Sequence, residues 1–528
     1  MAASPNSCPA PATTNLSAIH TKESSGITMK HISSHIALAW AVVLFIVPLP
    51  FLATLVSGFP ALYSSSMFGA EIGVIAYTWM LTAVYLACRP RWVDRTVGLP
   101  HMYMIHGVLA ILAIAFAFVH QALLPGAGEL IGLTGHLGLY LFMAVAVWSL
   151  VFMAGWLTAH VPVLATIKRA LEQVFRHEMS VWLHRLNIVA IVLIVIHVHV
   201  IDYIASIKPF IFLFDAATII VFAYYIWSSV NREAFAIRGR VVSVRPLADR
   251  VTELTVAIDG TAGTPANAHA NAGQSTANIR WNPGDFAFIA FPGKHGMHEF
   301  HPFSLTNSYP APASASFAAS TATDANTSVH TTSVAGTTIT MPHPDSPTMA
   351  FAIRADGDFT ARIASLKPGD AVRIVPPYGR YAEFIREHDS HATTKADQIA
   401  MQQGRNVAAA RRQRTPLVLI GGGIGITPLL GVLTAYADGN RPVDFLYTVR
   451  SERDFIYRDE LEQFGRTTPA TRVRLQAGRA DEATIVPMIR PGAAYLIAGP
   501  QPMMEAVREV LFKHGVHADD IYYEPFAM

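Results

Sequence analysis

Long apolar runs crowd the chain before residue 231, at roughly 36–57, 70–88, 101–124, 136–158, 181–204 and 209–230. Each approaches the ~20 residues that a helix needs to cross the hydrocarbon layer of a membrane. Basic residues fall in alternate loops. Lys22 and Lys30 precede the first run, and Arg89, Arg91 and Arg95 follow the second. Lys168, Arg169 and Arg176 follow the fourth, and Arg232, Arg238, Arg240 and Arg245 follow the sixth. The loops between, 58–69 and 125–135, carry neither Lys nor Arg, and 205–208 carries only Lys208. Positive loops stay on the cytoplasmic side. Residues 35–231 are therefore predicted as six spans in the cell membrane, in contact with lipid, with both chain ends cytoplasmic. Residues 1–34 are small and polar and lack the apolar core of a signal peptide, which predicts a disordered cytoplasmic tail.

From about 236 the pattern shortens. VVSVRPL, VTELTVAI, DFAFIAF, MAFAIRA and AVRIVPPYG are β-type runs separated by turn residues, the signature of a small antiparallel barrel over 236–386. Two stretches inside it, 259–280 and 310–347, are rich in Ala, Ser, Thr, Asn and Pro, cannot bury a core, and are predicted as disordered insertions. A third insertion, 387–414, links the barrel to the C-terminal region. Over 415–528 strands alternate with helices: PLVLI runs into GGGIGITPLLGVLTAY, VDFLYTV into RSERDFIYRDELEQF, and AAYLIAG into PQPMMEAVREVLFKHG. That alternation predicts an α/β doubly wound parallel sheet with its ligand at the strand C-termini.

Composition agrees. Charged residues are 14 % of the chain, against about a quarter in an ordinary soluble protein. A formal net charge of +2 speaks against a nucleic-acid partner. Two cysteines, Cys8 and Cys88, exclude a disulfide framework and a thiolate metal cluster.

The candidate chemistry begins with histidine. His106 and His120 lie 14 residues apart in the third run, a spacing that puts both on one helix face with about 21 Å between them. The fifth run repeats the arrangement from His184 to His197 or His199. Both runs point outward, so the imidazoles form an inner and an outer layer of two each, the requirement of two stacked bis-imidazole hemes. Polar contacts between helices and a proton relay are the competing accounts. On a straight helix His199 lies about 60° from the azimuth of His184, and His197 about 140°, so spacing alone leaves the choice open. In the barrel, HPFSLTN (301–307) is accompanied by Arg354, a Gly-Asp-Phe-Thr turn and a Pro-Tyr-Gly turn. Together these can offer a guanidinium, a hydroxyl and free backbone amides to a diphosphate. GGGIGITP (421–428) between a strand and a helix suits a dinucleotide pyrophosphate, with AGPQPMM (498–504) ending a later strand. Arg450 and Arg453 after the second strand favour a 2′-phosphate, hence NADPH over NADH, although Glu452 stands between them.

With these residues in hand, the chain resembles the ferric reductase / NADPH oxidase superfamily over roughly 36–528, apart from the insertions. The resemblance implies a six-helix transmembrane heme bundle fused to an FAD-binding barrel and a nicotinamide-binding α/β domain. It implies two b-type hemes, the inner held by His106 and His184 and the outer by His120 and His197. It places His301, Pro302, Phe303 and Ser304 along the flavin, with Phe303 and Ser304 nearest the reactive ring, and Phe526 as the C-terminal aromatic stacked on it. Arg354, Thr360, Tyr378 and Gly379 would complete the FAD site. Gly421, Gly422, Gly423, Gly425, Thr427, Arg450, Gly499 and Pro500 would hold NADPH.

The chain departs from the pattern at several points. Ala498 replaces the family's cysteine, Pro376 replaces a glycine, and Phe526 is followed by two more residues. Leu124 stands where animal oxidases carry a further histidine, and 36–70 contains no Arg or Lys. The expected activity is electron transfer from cytosolic NADPH through FAD and two hemes to an external acceptor, ferric iron ahead of dioxygen. A heme-free membrane anchor or transporter joined to a cytosolic flavin reductase is the rival, and quinone-linked transfer through a partner a third possibility.

Overall fold

The computed structural model describes residues 34–124, 128–152, 183–234, 236–259, 280–309, 348–402 and 414–524. The predicted tail, the bulk of both Ala/Ser/Thr-rich insertions and Phe526 lie outside the described residues.

Among the described residues, five helical segments are long and apolar enough to cross a membrane: Ser34–Gly58, Ala61–Ala87, Leu99–Leu123, Glu129–Leu150 and Lys208–Val230. In the first, a π-helical turn at Val42–Ile46 precedes Pro48 and Pro50, whose missing N–H groups leave the ladder to be re-formed around them. The predicted run 181–204 is no single helix in its described part. His184 precedes a turn at Arg185–Leu186, a 13-residue helix follows at Asn187–His199, and a four-residue turn of helix sits at Asp202–Ala205.

The barrel region forms one six-stranded antiparallel sheet. Its strands are β1 (Ile237–Ala248), β2 (Val251–Ile258), β3 (Phe286–Ala290), β4 (His301–Ser304), β5 (Thr348–Arg354) and β6 (Ala371–Tyr378), in the order β4-β3-β6-β1-β2-β5. A bridge from Leu305, just past edge strand β4, to Phe351 of edge strand β5 joins the two ends of the sheet. Within it, Leu254, Phe351, Ile289 and Ile374 are fully buried. Within the expected insertion or linker 387–414 the chain is helical as far as Gln402, continuing a helix that starts at Tyr381. Residues 381–402 contain neither Gly nor Pro to stop it.

The last region holds a five-stranded parallel sheet of β7 (Leu417–Gly422), β8 (Val443–Val449), β9 (Thr471–Ala477), β10 (Ala494–Ala498) and β11 (Ile521–Tyr523), in the order β11-β10-β7-β8-β9. The chain builds outward from β7 in one direction and then returns to its other side with β10. This reversal opens a crevice at the C-terminal ends of β7 and β10, where doubly wound folds bind ligands.

The helical region and the sheet regions share a core. Phe286, Phe288, Val375 and Tyr378 of the six-stranded sheet are buried in the same cluster as Leu86, Val93, Met102 and Ile105 of the helices.

Candidate functional site

The structure brings the predicted histidines together in two pairs. The rings of His106 and His184 have centroids 6.0 Å apart, and those of His120 and His197 lie 6.2 Å apart. Metal–imidazole bonds of about 2 Å on opposite sides of one ion put ring centres about 6 Å apart, so both gaps have the dimension of a bis-imidazole iron site. The outer nitrogens sharpen this. Nδ1 of His106 meets the Ala83 carbonyl at 2.8 Å, Nδ1 of His120 the Gly69 carbonyl at 2.8 Å, and Nδ1 of His197 the Ile131 carbonyl at 3.0 Å. A carbonyl only accepts, so each Nδ1 carries the proton and each Nε2 keeps its lone pair. For His184 the partner is the Ser149 hydroxyl at 2.8 Å, whose own proton goes to the Val145 carbonyl at 2.8 Å. Ser149 therefore accepts as well. Such outward hydrogen bonds orient metal-binding imidazoles and raise their basicity.

Two glycines make room for the rings. A Cβ on Gly73 would lie 2.6 Å from Nδ1 of His120, and one on Gly135 would lie 3.0 Å from Cε1 of His197. His199 is set apart: its Nδ1 bonds the Val195 carbonyl of its own helix, and its Nε2 faces the Asp215 carboxylate at 3.3 Å. The break at Arg185–Leu186 explains how His184 and His197 can both face the third span despite azimuths that a straight helix would set far apart.

In the six-stranded sheet, His301, Pro302, Phe303 and Ser304 form β4, paired with β3. The rings of His301 and Phe303 sit beside Phe359, at 4.1 and 6.0 Å. Arg354 and Thr360 meet around the 356–360 turn, but the turn is already satisfied from within. Thr360 Oγ1 accepts from the amides of Asp356 and Gly357, both at 2.9 Å, and Arg354 pairs with Asp356 at 2.6 Å. The amides expected to be free are thus bound to Thr360, and a diphosphate would exchange with Asp356 for the exposed guanidinium.

Tyr378 and Gly379 lie at the seam with the helical region, and Tyr378 pairs with Phe286 of β3, whose other neighbour is Ser304. The Gly379 amide donates to Asp94 at 3.1 Å and its carbonyl accepts from Arg95 at 2.7 Å. Arg95 also reaches Asp285 at 3.1 and 3.2 Å and Glu383 at 3.1 Å, all from the short helix Arg91–Val97 between the second and third spans. Burial pushes the Asp285 carboxyl up to about 7, outweighing the Arg95 guanidinium beside it, and pushes Glu524 up to about 8. In sequence, Asp94 and Arg95 were legible only as loop charges. Ser149 could have been singled out as a hydroxyl inside an apolar run, whereas Asp285 carried no signal of its own.

At the parallel sheet both predicted loops converge. Gly421 and Gly422 end β7, Gly423–Gly425 make one turn of 3₁₀ helix, and Thr427 lies in the helix Ile426–Tyr436. A Cβ on Gly425 would fall 2.4 Å from the Gly499 Cα, and one on Gly422 would meet Met503 and Pro500. The 421–427 and 498–504 loops therefore touch backbone to backbone. Gly423 has φ +54 with open space before it, which lets a ligand approach the main chain. Arg450 is exposed directly beyond β8.

Comparison with known proteins bears on this region. Residues 419–509 match the family described as "Oxidoreductase NAD-binding domain". Flavohemoprotein-2 of Giardia intestinalis (strain P15) is 28 % identical over 221 residues, covering 35 % of this chain and 48 % of its own length. The reductase component of propane 2-monooxygenase from Rhodococcus jostii (strain RHA1) is 32 % identical over 182 residues, covering 30 % and 48 %. The chain spans about half the length of the first curated relatives it matches. Among solved structures, a flavohemoglobin from Malassezia yamatoensis with bound FAD and heme covers 94 % of this chain and 99 % of its own at 15 % identity and a TM-score of 0.41. The flavohem-like FAD/NAD-binding domain of nitric oxide dioxygenase from Vibrio cholerae covers 55 % and 98 % at 18 % identity and a TM-score of 0.36. The chain thus has an N-terminal helical region followed by a region similar to flavohemoproteins, within which residues 419–509 match an oxidoreductase NAD-binding domain.

Proposed function

We propose that the chain is a transmembrane oxidoreductase of the ferric reductase / NADPH oxidase kind. It passes electrons from cytosolic NADPH, through FAD and two b-type hemes, to an external acceptor, with ferric iron the first choice and dioxygen the second. The observation that carries this reading is the pair of histidine pairs: 6.0 and 6.2 Å between rings, with all four Nδ1 atoms donating outward.

The balance is NADPH plus two one-electron acceptors giving NADP⁺, one proton and two reduced acceptors. FAD, when bound, supplies the change from a two-electron donor to one-electron transfer, and the hemes carry single electrons across the apolar layer. The chain's own residues bind and orient. The 421–427 and 498–504 loops receive the NADPH pyrophosphate, with Arg450 at the 2′-phosphate. His301, Pro302, Phe303 and Ser304 would line the flavin, and Arg354 and Thr360 its diphosphate, once Arg354 leaves Asp356. His106 with His184, and His120 with His197, would hold the two irons. Leu124 packs against Gly69, whose carbonyl holds His120. That apolar neighbour, where oxidases of the resembled family carry a histidine, favours ferric iron over dioxygen.

The test is an optical spectrum of detergent-purified full-length protein before and after NADPH. Bis-imidazole heme bands that NADPH reduces are expected. Absence of the bands would favour the heme-free anchor, and bands that NADPH cannot reduce would break the fused electron path. Superoxide formation as fast as reduction of a ferric chelate would exchange the order of acceptors.

A further inference from the structure

The second span, helix Met67–Ala87, ends at Cys88, and the next residue, Arg89, is left-handed at φ +57. That is the position at which helices usually place glycine, and the following residue is Pro90, which further narrows the conformations open to Arg89. An arginine held there at a backbone cost points to its side chain. The guanidinium lies 4.5 Å above the Phe288 ring of the six-stranded sheet and 5.6 Å from the Tyr103 ring of the third span. Its Nε is buried and has no hydrogen-bond partner among the described residues. Tyr103 precedes His106 by three residues, one turn along the same helix face. Phe288 belongs to β3, which pairs with the HPFS strand β4. Arg89 thus stands where a cation touches both the strand beside the flavin segment and the helix turn below the inner histidine.

We propose that Arg89 is a positioning residue for electron passage from the flavin region to the inner heme. It clamps Phe288 against Tyr103, and its fixed positive charge lowers the energy of an electron arriving on the inner iron. One electron moves per step, and no bond is made or broken at Arg89. The proposal rests on the flavin-to-heme electron path proposed for the chain.

The experiment compares wild type, Arg89→Gly and Arg89→Lys as full-length protein in nanodiscs. Three quantities are read: heme content after dithionite, the midpoint potential of each heme, and the rates of flavin bleaching and heme reduction after anaerobic mixing with NADPH. Glycine suits the left-handed backbone, so Arg89→Gly is expected to fold with both hemes and to bleach its flavin at the wild-type rate. One heme should shift to lower potential while the other stays, and heme reduction should slow by about tenfold or more. Arg89→Lys, which keeps the charge without the planar group, should restore the potential. Wild-type potentials and heme-reduction rate in Arg89→Gly would overturn the proposal and leave the parent reading intact. A wild-type protein without heme, or with hemes that NADPH does not reduce, would instead overturn the parent reading.

Discussion

At the outer histidine pair both imidazoles donate straight to backbone carbonyls, those of Gly69 and Ile131. At the inner pair one donates to the Ala83 carbonyl and the other to the Ser149 hydroxyl, which passes its own proton to Val145. Geometry between the rings is nearly the same at 6.0 and 6.2 Å, yet the supports differ in kind. A carbonyl survives any side-chain substitution; a hydroxyl does not. The outer pair is also crowded by glycines, while the inner pair lies toward the seam with the sheet regions. The outer site is therefore held by backbone carbonyls, and the inner one in part by a hydroxyl that mutation can remove.

The largest effect expected is loss of one site at a time. His106→Ala or His120→Ala should each halve the heme content and abolish reduction of an external ferric chelate, while NADPH still reduces ferricyanide through the flavin. Loss of both hemes from one substitution would break the idea of two separate sites. Next, Gly73→Ala places a Cβ 2.6 Å from the His120 ring. It should empty the outer site while the inner heme's spectrum and potential stay as in wild type. Ser149→Ala leaves the His184 Nδ1 proton without an acceptor, at a cost of about 1–3 kcal/mol. Heme affinity should fall by about 10–100-fold at the inner site alone, which heme titration of the stripped protein would measure.

A smaller effect comes from pH. Asp285 has its carboxyl pushed up to about 7 by burial, against about 3.9 in an unfolded chain. The folded chain holds this proton where the unfolded chain has lost it, so stability falls as pH rises from about 4 to about 7 and then levels off. Glu524, pushed up to about 8 by burial, adds the same sign up to that pH, so the melting temperature of the full-length protein should fall across both windows and Asp285→Asn should reduce the slope below about pH 7. The smallest effect is predicted for His199→Ala. Its ring faces Asp215 and its own helix, so both hemes should remain, and loss of the outer one would reverse the assignment of His197.

Much of this was legible before any coordinates. Apolar length marked the five helices long enough to cross a membrane among the described residues, and the 14-residue spacing assigned His106 and His120 to separate pairs, because helix periodicity is a local property. The choice between His197 and His199 was not, since it turns on the break at Arg185–Leu186 that a uniform helix wheel cannot contain. The partners of Gly379 were not legible for a related reason: its amide and carbonyl are taken by Asp94 and Arg95, nearly three hundred residues earlier in the chain.

The short helix Arg91–Val97 has a consequence for anyone recombining such proteins. Its Asp94 and Arg95 complete contacts that Gly379, Asp285 and Glu383 cannot make among themselves. The heritable unit of docking therefore does not begin where the last span ends. A chimera cut at residue 235 would carry the reductase without its socket. One that also transplants residues 91–97 would bring plug and socket together, and would be the graft to build first.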